Sequence, residues 1–285
     1  MDKIKLITDS TSDLSDALLE EHDIDVIPLV VTIGDKSYYD GVTLDTKSMY
    51  KKVAEKDAHP ITAAASPGAF VEMFEQYLKE GYKILYMGIG SKFSGTYQSA
   101  HTARNICEAG HRDDIYLLDS HNLSSGSGLL LLKAAQFRQE GLSIDEIYKK
   151  LLGLVPRVRS QFVIDTLDYL HRGGRINGLQ NFMGSMLKLK PIIKVRNGEM
   201  HVGKKGRGSI KNGINILIKE VLDVKEELDE DFLMITHSQA PDSYQYIYDK
   251  ISDHLPVKNI YETEAGCVIS SHCGQGTIGI LYIVK

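Results

Sequence analysis

The 285-residue chain has room for about two domains, each able to build a sizeable core. With 42% apolar and 25% charged residues and a formal net charge of −5, it is globular in composition and has no general attraction for nucleic acid or an anionic membrane. Its three cysteines, Cys107, Cys267 and Cys273, are an odd number without CxxC spacing, which argues against a disulfide framework and a tetrathiolate zinc site and fits a reducing cytoplasm.

Residues 3 to 8 read as an apolar first strand. Asp9-Ser10-Thr11-Ser12-Asp13-Leu14 then supplies a polar turn and caps for a following helix. The N-terminus lacks the apolar core of a signal peptide, and no apolar run reaches the roughly 18 residues of a spanning helix, so a soluble, cytoplasmic protein is expected. Val26 to Ile33 reads as a strand with an irregularity at Pro28, followed by a hairpin turn at Asp35-Lys36. Thr46 to Lys56 is helical by pattern, and Pro60 to Ala63 is an extended connection. Ser66 as N-cap and Pro67 at the first helical position open a helix. Its Phe70, Met73, Phe74, Tyr77 and Leu78 form one apolar face, read as core.

Residues 84 to 87 form a buried strand, after which Gly88 and Gly90 let the chain turn sharply into a helix running to about Ala109. Ser94 and Thr96 stand where that helix begins. Free backbone N–H groups, side-chain donors and the positive end of the helix dipole are expected to converge there on a carboxylate or phosphate. The plainer alternative is that Ser91 or Ser94 only caps its helix. A strand at Ile115 to Leu118 and a second hydroxyl-rich turn at Ser124 to Gly128 repeat the pattern. Three strand-loop-helix units, at residues 3, 84 and 115, point to a mainly parallel sheet with ligand-binding loops at its carboxyl edge.

A helix with Ile144, Ile147 and Leu151 runs toward Pro156, where the domain boundary is placed, giving domains 1–156 and 157–285. Beyond it, strands at 162–164, 192–195, 200–203 and 232–236 alternate with a helix whose Ile214, Leu217, Ile218, Val221 and Leu222 share one face. Asn197-Gly198 is a two-residue hairpin turn, so the second sheet is mixed. The chain closes with a strand at 260–262, a loop rich in Gly, Ser, Cys and His, and a strand at 280–284.

Gly274-Gln275-Gly276-Thr277-Ile278-Gly279 matches GxGxxG literally. It is followed by six strand-like residues and no helix, so it is a turn and not a dinucleotide site. Ser94 follows Lys92-Phe93, which does not fit the glycine framework of a nucleophile elbow. His272, in a small-residue loop with Cys273, matches no zinc spacing. Arg172-Gly173-Gly174-Arg175 either grips an anion or a partner protein, or is an ordinary exposed turn.

Taken in order, Ile7 to Leu14, Thr62 ahead of Ser66-Pro67 and Phe70, Phe93 to Ala100, Asp165 to Leu170, Gly173-Gly174-Arg175-Ile176, Lys190-Pro191-Ile192 and His272 to Gly279 carry a resemblance. The chain resembles the DegV family over nearly its whole length and is similar to the fatty-acid-binding subunits of bacterial fatty acid kinase. The resemblance implies an α/β fold with a mainly parallel N-terminal sheet, a mixed C-terminal sheet and a long-chain fatty acid in a tunnel between them. It implies that Thr62 and Ser94 bind the carboxylate with His272 nearby, and that Arg172 helps engage a separate kinase subunit; beside these, Gly95 is assigned to the ligand site and Arg175 to the docking site. It implies no cofactor, no metal and no catalysis by this chain, with transient membrane contact for loading. Two departures stand out: Gln275 replaces the usual proline, and Ala63-Ala64-Ala65 replaces a segment that more often carries Ser and Gln.

Physical chemistry agrees with that implication. A carboxylate removed from water must be hydrogen-bonded. At roughly 0.8 kcal/mol per methylene, a palmitoyl-length tail gains about 12 kcal/mol before ordering costs. Two other classes remain: a hydrolase or acyltransferase using Ser94 with His272 as base, and a lipid-sensing protein that serves no kinase.

Overall fold

The computed structural model describes residues 2–180 and 189–285. Its first half is built on four parallel strands, β1 (Ile4–Asp9), β2 (Ile24–Ile27), β6 (Lys83–Met87) and β7 (Ile115–Leu118), in the order β2-β1-β6-β7. Every residue of β1 is buried, as a strand covered on both faces requires. Lys5 is accommodated by reaching Asp25 at 2.8 Å and also pairing with Asp23.

The expected single strand over Val26 to Ile33 is two strands. Pro28 has no N–H for a ladder, and Leu29 turns aside, its N–H bonded to Ser10 Oγ at 3.1 Å. The chain then leaves the parallel sheet for a small antiparallel one, β4-β3-β5, made of β3 (Val30–Ile33), β4 (Lys36–Tyr39) and β5 (Ile61–Ala63). What reads in the sequence as an extended connection is thus β5, an edge strand. Thr62 lies opposite Val31, which is fully buried, so Thr62 shares the inward face while Ile61 and Ala63 are exposed.

The helices α1 (Asp16–Glu21), α2 (Thr46–Lys56), α3 (Pro67–Lys79) and α4 (Thr96–Ile106) follow their expected places. Ser66 Oγ caps α3 by accepting from Ala69 N at 3.3 Å, and Phe70, Phe74 and Leu78 form its buried face. Helix α5 (Ser125–Gln139) differs from a surface amphipathic helix: residues 125 to 135 are all buried. Its Leu129 to Leu132 share one apolar cluster with Leu6 and Leu85 of the first sheet and Met234 and Leu281 of the second. Gly126 allows this close fit, since a Cβ there would lie 2.2 Å from Asn122 Oδ1 and 2.4 Å from Ser160 Oγ.

After α6 (Ile144–Leu154) and a short turn at Val155–Arg157, the chain enters the second sheet. Its strands β8 (Val158–Val163), β9 (Leu189–Arg196), β10 (Glu199–Arg207), β11 (Leu228–His237), β12 (Asn259–Glu264) and β13 (Ile278–Val284) run in the order β10-β9-β8-β13-β11-β12. The sheet is mixed: β11 and β12 pair in parallel, the others antiparallel. Asn197 and Gly198 form the hairpin turn with φ of 51° and 75°, the left-handed pair that a type I′ turn requires. Helices α8 (Ile210–Asp223) and α9 (Pro241–Ile251) cover its outer face, and α7 (Asp168–Arg172) follows β8.

A further local expectation is corrected. The closing Gly/Ser/Cys/His segment is a helix, α10 (Cys267–Cys273), and not a loop. Gly274 and Gly276, at φ of 83° and 84°, then turn the chain into β13, which is the turn role expected of them.

Candidate functional site

Strand β1 leads away to β2 on one side, and the chain later returns to place β6 on the other. The crevice beyond β1 and β6 is therefore the topological switch point of the first sheet. Asp9, at the end of β1, organises it. Its buried carboxylate accepts from Ile89 N at 3.0 Å, Tyr86 Oη at 2.9 Å and Thr11 N at 3.0 Å. Gly88 must be glycine here, because a Cβ would fall 2.0 Å from Asp9 Oδ2.

Most of the loop's backbone ahead of α4 is already committed within the protein. The N–H groups of Ile89, Gly90, Ser91, Phe93 and Ser94 are taken by Asp9, Asn122 O, Asp119 and, for the last two, Gly90 O. The Gly95 N–H at the start of α4 has no protein partner among the described residues and is left for an anion, together with the side-chain hydroxyls beside it. Ser94 Oγ accepts from Thr96 N at 3.2 Å and lies 2.9 Å from Thr96 Oγ1, so it steadies the start of α4 and also faces the cavity described below. Gly95 occupies the N-cap position of α4 and sits on the outer lip, lining the adjoining cleft.

Opposite Ser94 stands α10. Its N-terminus is held by two buried carboxylates: Asp40 accepts from Cys267 N at 2.7 Å and Val268 N at 3.3 Å, and Asp13 accepts from Gly266 N at 2.9 Å. Burial, the larger cause, holds both carboxyls above their ordinary range. The sequence reading took Asp13 for part of a capping turn and passed over Asp40; neither has a local signal for a contact more than two hundred residues away.

Held at its start, α10 carries His272 to Thr62, where Thr62 Oγ1 and His272 Nε2 are 2.9 Å apart. Nδ1 of the same ring is buried, lacks a hydrogen-bond partner among the described residues, and faces Gly173, whose added Cβ would lie 2.2 Å away. Burial, helped by the charge of Arg175 and by His59, pushes the His272 pKa down to about 4, so the imidazole is neutral at pH 7.

Thr62, Ser94, His272 and Arg175 meet at one end of a cavity between the two sheets, with about 870 Å³ of space between its atoms, mouth included. Its walls are mostly apolar, with Ile89, Leu123, Phe162, Met200, Ile269 and Leu281 contributing. Arg175 donates from Nε to Phe93 O at 3.3 Å and from Nη1 to Gly173 O at 2.8 Å, while Arg172 is exposed on α7. Beyond the mouth an open polar cleft shares Phe93, Ser94, Arg175 and Met200 with the cavity and is bridged by Lys92 Nζ and Glu199 Oε1 at 2.7 Å.

This geometry suits holding an amphipathic acid better than acyl transfer. Nucleophilic use of Ser94 requires a base beside it and a group orienting that base. The ring nitrogen of His272 meets Thr62 instead, and its other nitrogen has no orienting partner among the described residues. Also among the described residues, no three His, Cys, Asp or Glu side chains are grouped to hold a metal, and no helix is long and apolar enough to cross a membrane.

An apolar cavity between a parallel and a mixed sheet, with hydroxyls, an imidazole and a guanidinium at its mouth, is the kind of pocket in which α/β proteins hold small molecules. The chain belongs to the DegV family: the family model, described as "Uncharacterised protein, DegV family", matches residues 3–285. A DegV domain-containing protein of Clostridium acetobutylicum is 35% identical over 285 residues, covering 100% of both chains. Among solved structures, a DegV family protein of Thermus thermophilus, described by its fatty acid binding, superposes with a TM-score of 0.91 at 30% identity, covering 99% of this chain and 100% of that one. DegV of Bacillus subtilis, described as a fatty acid binding protein, gives a TM-score of 0.87 at 29% identity, with 100% of each covered.

Proposed function

We propose that the chain holds a long-chain fatty acid in this cavity and presents its carboxylate to a separate kinase subunit for phosphorylation to acyl phosphate. The observation that carries the reading is the convergence of Thr62, Ser94 and His272 at the polar end of an otherwise apolar cavity. A carboxylate there receives hydrogen bonds from the two hydroxyls, and the tail fills apolar space, where each methylene contributes about 0.8 kcal/mol. The fatty acid binding of the Thermus and Bacillus relatives supports the same ligand class.

In phosphorylation, a carboxylate oxygen bonds to the γ-phosphorus of ATP and the bond to the ADP oxygen breaks. The kinase supplies that chemistry. This chain contributes position: the carboxylate end lies beside the open cleft, which Arg175 lines, and Arg175 together with Arg172, exposed on α7, is assigned to docking. Loading from a membrane is transient, since a formal charge of −5 gives no lasting electrostatic hold on an anionic surface.

Titration of lipid-free protein with oleate or palmitate, followed by addition of kinase subunit and ATP, separates the levels of this reading. Binding followed by acyl phosphate formation supports all of it. Binding without phosphorylation by any cognate kinase makes the chain a lipid sensor, and absence of binding overturns the reading.

A further inference from the structure

We infer that the turn between β9 and β10 is a strap over the side of the cavity, and that its Lys92–Glu199 ion pair is the seam that parts to pass the ligand's tail; the inference rests on the fatty-acid reading above. The described residues around the cleft outside the mouth come from three segments: 91–95 before α4, 174–178 after α7, and 198–201 at the start of β10. Each touches the next. Arg175 Nε donates to Phe93 O at 3.3 Å and so ties the second segment to the first. Gly178 lies so close to the carbonyl of Met200 that a side chain there has no room, which fits the second against the third. Lys92 Nζ then meets Glu199 Oε1 at 2.7 Å and closes the ring.

The three joints are unequal. Arg175 is half-buried and held a second time by Gly173 O at 2.8 Å, and Gly178 meets Met200 within the second half of the chain. The Lys92 and Glu199 side chains are 51% and 58% exposed, so their attraction is that of a surface pair, weak and screened by salt. Beside it the turn rests on the loops of the first sheet through one backbone bond, Gly198 N to His121 O at 3.0 Å. Gly198 also lets the methylenes of Lys92 lie across the turn, since a Cβ there would stand 3.2 Å from Lys92 Cδ. What this seam covers is the cavity itself. Phe93 follows Lys92, Leu123 follows His121 by two residues, and Met200 follows Glu199, and all three line the apolar wall. Lifting the turn therefore separates Met200 from Phe93 and Leu123 and opens the cavity along its side, so that a tail enters without passing the hydroxyls and imidazole that hold the head.

The test follows binding of cis-parinarate, a fluorescent long-chain fatty acid, to lipid-free full-length protein by stopped flow. Wild type is compared with Lys92→Met, which keeps an apolar stem over Gly198, and with the charge exchange that combines Lys92→Glu and Glu199→Lys. Lys92→Met should raise the association and dissociation rates together by about two- to five-fold, the worth of an exposed ion pair, and leave Kd unchanged, because the seam is shut with and without ligand. The charge exchange should return both rates toward wild type. High salt should speed dissociation from wild type by the same factor and leave Lys92→Met as it is. Wild-type rates in Lys92→Met, a Kd changed through only one of the two rates, or a charge exchange as fast as Lys92→Met would each overturn the inference while leaving fatty acid binding intact. Wild type that does not take up the probe would overturn the fatty-acid reading itself.

Discussion

Thr62 Oγ1 and His272 Nε2 lie 2.9 Å apart although 210 residues separate them in sequence, and this contact joins the small antiparallel sheet to α10 at the mouth of the cavity. Since the neutral ring has a hydrogen bond only through Nε2 among the described residues, Thr62 is oriented by it, and under the proposed function its hydroxyl is the one that meets the carboxylate.

Thr62→Ala and Ser94→Ala should each weaken fatty acid binding by on the order of 1.5 to 3 kcal/mol, the worth of a hydrogen bond to a charged group. Ser94 also accepts from Thr96 N, so its loss should lower stability by about 1 kcal/mol. Paired melting and titration separate the two contributions. A Ser94→Ala protein that melts earlier yet binds oleate as tightly as wild type would reduce Ser94 to a cap.

The depressed pKa of His272 makes a signed prediction. The unfolded chain protonates this side chain near 6.5 and the folded one only near about 4, so between those values the unfolded state binds more protons. The contribution of His272 is fully present above 6.5 and declines as the pH falls toward 4. Urea unfolding should show the stability advantage of wild type over His272→Gln shrinking by on the order of 2 kcal/mol between pH 7 and pH 5. A difference independent of pH over that range would mean the ring is not shielded as described.

Gly173→Ala places a methyl 2.2 Å from His272 Nδ1, and either the ring or α7 must move. Overpacking of this kind costs typically about 1 to 3 kcal/mol, and here the displaced group is the one that orients Thr62. Both melting temperature and oleate affinity should fall. Unchanged affinity in a destabilised protein would separate His272 from the ligand.

Arg172→Glu should retain bound fatty acid and fail to support its phosphorylation when kinase subunit and ATP are supplied, because the exposed guanidinium becomes a charge of the opposite sign. Loss of lipid binding would move Arg172 to the ligand site, and unchanged turnover would make it an ordinary solvated turn residue.

Much of the fold is legible in the chain because its βα units are short and punctuated. Ser66-Pro67 opens α3, Asn197-Gly198 turns the second hairpin, and Pro28 marks the place where one apolar run changes sheets. Helix α10 is not legible. Seven residues of Cys, Val, Ile, Ser and His have weak helical preference, and what holds them is a pair of carboxylates, Asp13 and Asp40, more than two hundred residues away. The site divides the same way. Ser94 stands out through its loop, and Thr62 only through resemblance, because an edge strand of three residues has no pattern of its own. The expectation of free amides at the helix start holds only in part: Asp9, Asn122, Asp119 and Gly90 take those of residues 89 to 91, 93 and 94, a set of contacts with no signal in the sequence, while that of Gly95 has no partner among the described residues.

The central claim is tested most directly by mass spectrometry of lipid extracted from the full-length protein purified from bacterial cells. The account predicts a long-chain fatty acid at about one molecule per chain, lost or sharply reduced in the Thr62→Ala and Ser94→Ala proteins. Protein that is free of lipid as purified, and that takes up neither oleate nor palmitate when they are offered, would contradict it.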